Sequence, residues 1–121
     1  MFRIVKKFSF CASHQLLNLP EDHPCSRLHG HNYEIEIVLS SDKIDTNTGM
    51  LLDFRKLNEI VNPVINKLDH QNLNDILQDG EPSTCEYLAK WIFQKLKPKL
   101  SYLTTVCVSE TPKTWAEYSN E

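Results

Sequence analysis

No stretch of the 121-residue sequence approaches the ~18 consecutive apolar residues that a membrane-spanning helix requires. Nor is there an excess of positive charge. Thirteen Lys and Arg stand against sixteen Asp and Glu, a formal net charge of −3 with neutral histidines. That balance argues against a general nucleic-acid binder, which carries a basic stripe. Cys11, Cys25, Cys85 and Cys107 lie far apart and form no CxxC pair, so they read as reduced thiols rather than a disulfide framework. The start of the chain, Met1-Phe2-Arg3-Ile4-Val5-Lys6-Lys7, has no signal-peptide apolar core, which predicts a soluble cytoplasmic protein. Repeats, linkers and low-complexity segments are missing as well.

What remains is a sequence able to fold. Hydrophobic residues make up 40% and charged residues 24%, outside the disordered range. The length predicts a single domain spanning residues 1–121, with a modest core because such a chain buries only about two-thirds of its unfolded surface.

Phe2, Ile4, Phe8, Phe10 and Ala12 recur at period two and predict a first strand over 2–12. His14 continues that parity. Residues 15–30, with Pro20, Pro24, Asn18, Glu21 and Asp22, read as a loop. Alternation resumes over 31–40, with Tyr33, Ile35, Ile37 and Leu39 on one side and Glu34 and Glu36 on a wetter one. Asp53 can cap a helix whose apolar stripe is Phe54, Leu57, Ile60, Val61, Val64 and Leu68, with a kink expected at Asn62-Pro63. Residues 69–82 read as a loop. Ser83 to Glu86 has the form of a capping box opening a second helix, which Lys97-Pro98 ends. Strands over 102–110 and 114–119, joined by Thr111-Pro112-Lys113, complete the order ββααββ. The fold class predicted is α+β: two helices on one face of a four-stranded antiparallel sheet. Its open edges and second face point to homo-oligomerisation.

Three of the five histidines fall within eighteen residues. His29 and His31 are two apart at the start of a strand, so both imidazoles project from one face. His14 leaves the preceding strand with matching parity. If the two strands pair antiparallel, three neutral imidazoles converge, leaving an open fourth position on a divalent cation, the pattern of catalytic zinc. Cys25 has three readings: a fourth ligand closing a structural site, a thiolate held beside the metal, or a free thiol without function. Its spacing does not choose among them. Asp69-His70 reads first as an ordinary helix C-terminus with His70 placed against the dipole. It becomes functional only if the fold brings it near Cys25, since an aspartate orients an imidazole and raises its basicity. Glu110 is either an exposed strand-end carboxylate or an acceptor of two parallel hydrogen bonds from an amidine-like edge. Thr84 reads most simply as a residue of the helix's first turn.

Taken together, Cys25-x-x-x-His29-Gly30-His31 with upstream His14, then Asp69-His70, Thr84-Cys85-Glu86 and Glu110-Thr111-Pro112, resembles the 6-pyruvoyl-tetrahydropterin synthase superfamily. The resemblance covers essentially the whole chain. The three-residue gap between Cys25 and His29 is similar to that of the bacterial 6-carboxy-5,6,7,8-tetrahydropterin synthases of queuosine biosynthesis. It implies a tunnelling fold in which three subunits pool their sheets into a barrel and two barrels stack as a hexamer. It also implies 7,8-dihydroneopterin triphosphate as the small-molecule substrate, converted to 6-carboxytetrahydropterin with release of acetaldehyde and triphosphate. By the same resemblance, His14, His29 and His31 match the Zn2+ ligands. Cys25, Asp69 and His70 match the catalytic set, while Glu110 and Thr84 match contacts to the pterin. Cys85 departs from the pattern, standing where this branch carries serine or alanine, and reads as a small helix residue. Two other readings make different predictions. A 6-pyruvoyl synthase would release triphosphate but no aldehyde. A non-catalytic zinc-stabilised binding module would unfold on chelation.

Overall fold

The computed structural model describes residues 1–77 and 80–120; Gln78 and Asp79, inside the expected 69–82 loop, and Glu121 lie outside the described residues. Two long strands, β1 (Phe2–His14) and β2 (His29–Ser41), pair antiparallel from Phe2 opposite Ser41 to His14 opposite His29. Their alternation decides which face is buried. Phe10, Ala12, Tyr33, Ile35, Ile37 and Leu39 all enter the core, whereas Lys7 and Glu36 pair on the opposite face at 3.8 Å. β4 (Leu103–Thr111) pairs antiparallel with β2, and β5 (Thr114–Ser119) with β4.

The helices cover the apolar face. α1 (Phe54–Leu68) starts where the Asp53 carboxylate accepts the Arg55 N–H at 2.8 Å, a cap of the expected kind. Leu57, Val61, Val64 and Leu68 turn inward. The helix runs through Pro63 as one element rather than restarting there. Pro63 and Glu59, whose carbonyl loses its helical partner, are both on the exposed side, where water can take up that bond. α2 (Cys85–Leu96) buries Leu88, Ala89, Ile92, Phe93 and Leu96 and packs on β4 and β5, while α1 packs on β1. Full burial of a Leu or Ile side chain contributes about 1.5–3 kcal/mol, so the inward faces of the two helices anchor them firmly.

Three expectations need correction. The sheet has five strands, ordered β3-β1-β2-β4-β5, not four. The extra strand, β3 (Gln71–Asn72), pairs in parallel with Ala12 and Ser13. The chain reaches that alignment through His70, whose φ of 60° turns it back along β1 as α1 ends. A two-residue strand has no periodicity to detect. Second, the first two strands run further than expected, so that all three of His14, His29 and His31 lie within the ladder. Third, the cap of α2 is Thr84, whose hydroxyl accepts the Tyr87 N–H at 3.3 Å. Ser83 is buried and bonded elsewhere. No described helix is long and apolar enough to cross a membrane.

Candidate metal centre

The register sets the site. Because His14 sits opposite His29, and His31 lies two residues further along β2, the three side chains leave the same face at one end of the hairpin. Their ring centroids stand 4.5, 4.9 and 5.1 Å apart, with every pair edge-to-face. One nitrogen from each ring falls within 4.8 Å of the other two. The Tyr33 ring lies beside this group, 5.6 Å from His31 and 6.0 Å from His14, and stacks on Phe10. Burial raises the Tyr33 hydroxyl above the ordinary tyrosine range and keeps it protonated.

Backbone carbonyls orient two of the rings. His14 donates from Nδ1 to the Ser83 carbonyl at 2.7 Å, and His29 from Nδ1 to the Arg27 carbonyl at 2.6 Å. A carbonyl only accepts, so each Nδ1 carries a hydrogen, and it is Nε2 that holds the lone pair when the ring is neutral. Metal-binding histidines are commonly held this way. His14 is 2% exposed, and its Nε2 has no hydrogen-bond partner among the described residues. An unsatisfied buried polar atom costs about 1–3 kcal/mol, and a divalent cation bound by the three imidazoles would remove that cost. Burial lowers the His14 pKa, with His29 and His31 adding to the effect; the Ser83 bond and Glu110 act the other way. The neutral, ligating form is therefore the favoured one. The donor set fits a metal.

Glu110, near the end of β4, reaches this group from the side. Its Oε2 lies 3.3 Å from His31 Nε2 and 3.8 Å from His14 Nε2. Cavities flank the carboxylate on two sides. One, of about 580 Å³, includes His31, Asn32, Glu34 and Trp115; the other, of about 310 Å³, includes His14, Thr84, Cys85 and Trp115. Both volumes are of small-molecule scale. Trp115 passed unnoticed in the sequence, where a half-exposed aromatic on a short strand carries no distinctive spacing. Cys85 is a thiol that burial, together with Glu110, pushes up to about 12. It is protonated at neutral pH and unsuited to act as a base.

The remaining predicted residues do not join the converging donor group. Cys25 is half-buried in a short 3-10 turn, Pro24–Ser26, with its N–H bonded to His23 Nδ1 at 3.1 Å. It is not a member of the converging donor group. Asp69 accepts the Cys11 N–H at 3.0 Å through Oδ1, while its Oδ2 stands 3.6 Å from Nε2 of His70. The His70 side chain is 79% exposed and shares a shallow groove with Cys11, His31 and Asn32. Among the described residues of one chain, no hydrogen bond or ion pair links Cys25 to Asp69 or His70. The carbonyls of Ser83 and Arg27 could not have been found from sequence, because every residue has one.

The 6-pyruvoyl tetrahydropterin synthase family model matches residues 3–121. The chain belongs to this family. It is 41% identical to the 6-carboxy-5,6,7,8-tetrahydropterin synthase of Synechocystis sp., over 98% of this chain and 93% of that protein. It is 32% identical to the Haemophilus influenzae protein of the same name, over 98% and 99% of the two chains. Its fold superposes on the 6-pyruvoyl tetrahydropterin synthase of Caenorhabditis elegans with a TM-score of 0.89 at 30% identity, covering 99% of this chain and 96% of the other. Family membership is consistent with three histidines that could hold a metal ion.

Proposed function

We propose that this family member is a zinc-dependent 6-carboxy-5,6,7,8-tetrahydropterin synthase, a carbon-carbon lyase acting on 7,8-dihydroneopterin triphosphate in the cytoplasm and serving queuosine biosynthesis. The observation that carries the reading is the convergence of His14, His29 and His31, with the buried Nε2 of His14 left free for a ligand. Relatives that bear this name and match almost the whole chain support it.

In this reading the three imidazoles hold Zn2+, which when bound supplies Lewis acidity and orients the hydroxyl oxygens of the substrate side chain. The Glu110 carboxylate accepts two parallel hydrogen bonds from the 2-amino and ring N–H edge of the pterin, and Thr84 adds a further pterin contact. Cys25, as thiolate, removes a proton from the substrate side chain. His70, oriented by Asp69, accepts or returns the second proton. Triphosphate then leaves by elimination, and tautomerisation moves two hydrogens from the side chain to the ring, turning the dihydropterin into a tetrahydropterin. Water adds to the carbonyl carbon next to the ring, and cleavage of the carbon-carbon bond beyond it leaves the carboxylate on the ring while the two-carbon fragment takes up a proton and departs as acetaldehyde. A positioned acid or base of this kind contributes typically ~10²–10⁴-fold.

That no hydrogen bond or ion pair joins Cys25 to Asp69 or His70 among the described residues of one chain supports a site shared between subunits. The outer edges of β5 and of β1 before Cys11, unpaired among the described residues, support it too. We assign the chain, as one synthase domain over residues 1–121, to a homohexamer built from two stacked trimeric barrels. The decisive experiment is incubation with 7,8-dihydroneopterin triphosphate followed by mass analysis and aldehyde trapping. The reading expects 6-carboxytetrahydropterin with equimolar acetaldehyde. A product retaining its three-carbon side chain, with no aldehyde, would overturn it.

A further inference from the structure

One partly buried network joins three separate segments beside the metal site. Asn74 lies in the 3-10 turn Leu73–Asp75, and its own N–H is held by the Asn72 side chain at 3.0 Å. Its carboxamide meets the backbone of Gln15 twice. Oδ1 accepts the Gln15 N–H at 2.8 Å, and Nδ2 donates to the Gln15 carbonyl at 2.8 Å. These are the two bonds another strand would have offered, so a side chain prolongs the β1–β3 pairing by one step beyond Ser13.

From Gln15 the network runs in two directions. Toward the metal site, the Ser83 hydroxyl lies 3.3 Å from both the Gln15 carbonyl and Asn74 Oδ1, and the Ser83 carbonyl fixes the His14 ring. Toward the loop, Gln15 Nε2 donates to the Ser26 carbonyl at 2.8 Å, and the next N–H, from Leu16, to the Cys25 carbonyl at 2.9 Å. Asn74 thus grips the residue between His14 and the strap leading to Cys25. Asparagine supplies this pattern because its amide is at once donor and acceptor.

We propose that the Asn74–Gln15 clasp is a positioning device. It holds the His14 imidazole and the Cys25-bearing loop in one fixed relation, Asn74 serving both and the Gln15 side chain serving the loop alone. This rests on the metal reading of the three histidines. The test uses full-length protein with zinc as the only added ligand. Zinc affinity is measured by chelator competition, and the rate of Cys25 alkylation by peptide mass spectrometry.

Asn74→Ala is expected to weaken zinc binding severalfold, less than the about 10- to 100-fold that loss of a ligand's own hydrogen-bond partner brings because Asn74 acts on His14 through Ser83 and Gln15, and to speed Cys25 alkylation. Gln15→Ala keeps the backbone clasp, so zinc affinity should stay at the wild-type value while Cys25 alkylation rises about fivefold, the worth of one hydrogen bond. A purely structural role would lower melting temperature without this split between the two variants. Wild-type affinity and wild-type Cys25 reactivity in a folded Asn74→Ala overturn the inference. If that variant does not fold, unchanged Cys25 reactivity in Gln15→Ala overturns it. A wild-type chain that binds no zinc overturns the metal reading itself, and the two failures are thereby distinguished.

Discussion

Replacing His14 by alanine tests the metal centre most directly, and its effect can be worked out in advance. In the metal-free protein the imidazole has two opposed contributions. Its Nδ1 bond to Ser83 and its packing stabilise the fold, whereas its buried Nε2 is unsatisfied at a cost of about 1–3 kcal/mol. The alanine variant loses both, so its metal-free melting temperature should change by far less than a core truncation would change it. With metal the balance differs. Zinc at 100 times its dissociation constant stabilises a folded protein by about 2.7 kcal/mol. For 121 residues the unfolding entropy is about 0.25 kcal/mol/K. The expected rise in melting temperature is therefore about 11 °C for the wild type and close to nothing for His14→Ala. Thermal melts followed by circular dichroism, with added zinc and with chelator, measure both differences. A variant that kept the full zinc-induced rise would refute the assignment of Nε2 as a ligand.

Cys25→Ala should fold and retain zinc while turnover falls by about 10²–10⁴-fold, checked by metal analysis alongside acetaldehyde release. Glu110→Gln preserves shape but removes a charged acceptor, so pterin affinity should fall by about 10- to 100-fold, read by fluorescence titration with a dihydropterin. Below pH 6.5 the unfolded chain takes up a proton that buried His14 resists, so the unfolded state binds more protons and stability drops as the solution is acidified. Melts of chelator-treated protein at pH 7.5 and 5.5 should show the wild type losing more than His14→Ala, by at most about 1.4 kcal/mol per pH unit for this one group; equal losses would contradict it. Burial holds both Cys85 and Cys107 up to about 12, so a thiol reagent at pH 8 should leave them unmodified until denaturant is added, while exposed Cys11 reacts at once.

The histidine triad was legible because it follows from parity alone. Once residues 2–12 and 31–40 alternate and pair, His14, His29 and His31 have only one face to share. The stripe of α1 was legible for the same reason, its period being far from that of a strand. The cap of α2 was not, since Ser83 and Thr84 are equally good capping residues. What separates them is a tertiary fact: Ser83 is drawn into the network around His14 and Asn74. β3 was hidden because its pairing is imposed by the left-handed turn at His70 rather than by side-chain pattern. Cys25, Asp69 and His70 carry no periodicity at all, and their relation to the histidines depends on loop paths that spacing does not encode.

The hairpin has one more consequence. Its last ladder pair, His14 opposite His29, is also the doorway through which residues 15–28 leave and re-enter the sheet. Both ends of that excursion are anchored at the same point, and doubling its length would cost only about 0.6 kcal/mol in closure entropy. The middle of that span, residues 17–24, can therefore be lengthened or shortened at little cost so long as Gln15 and Arg27, which tie its two ends to the imidazoles, keep their bonds, much as a tool is changed in a fixed chuck. Diversification of chemistry on this scaffold has its lowest barrier there.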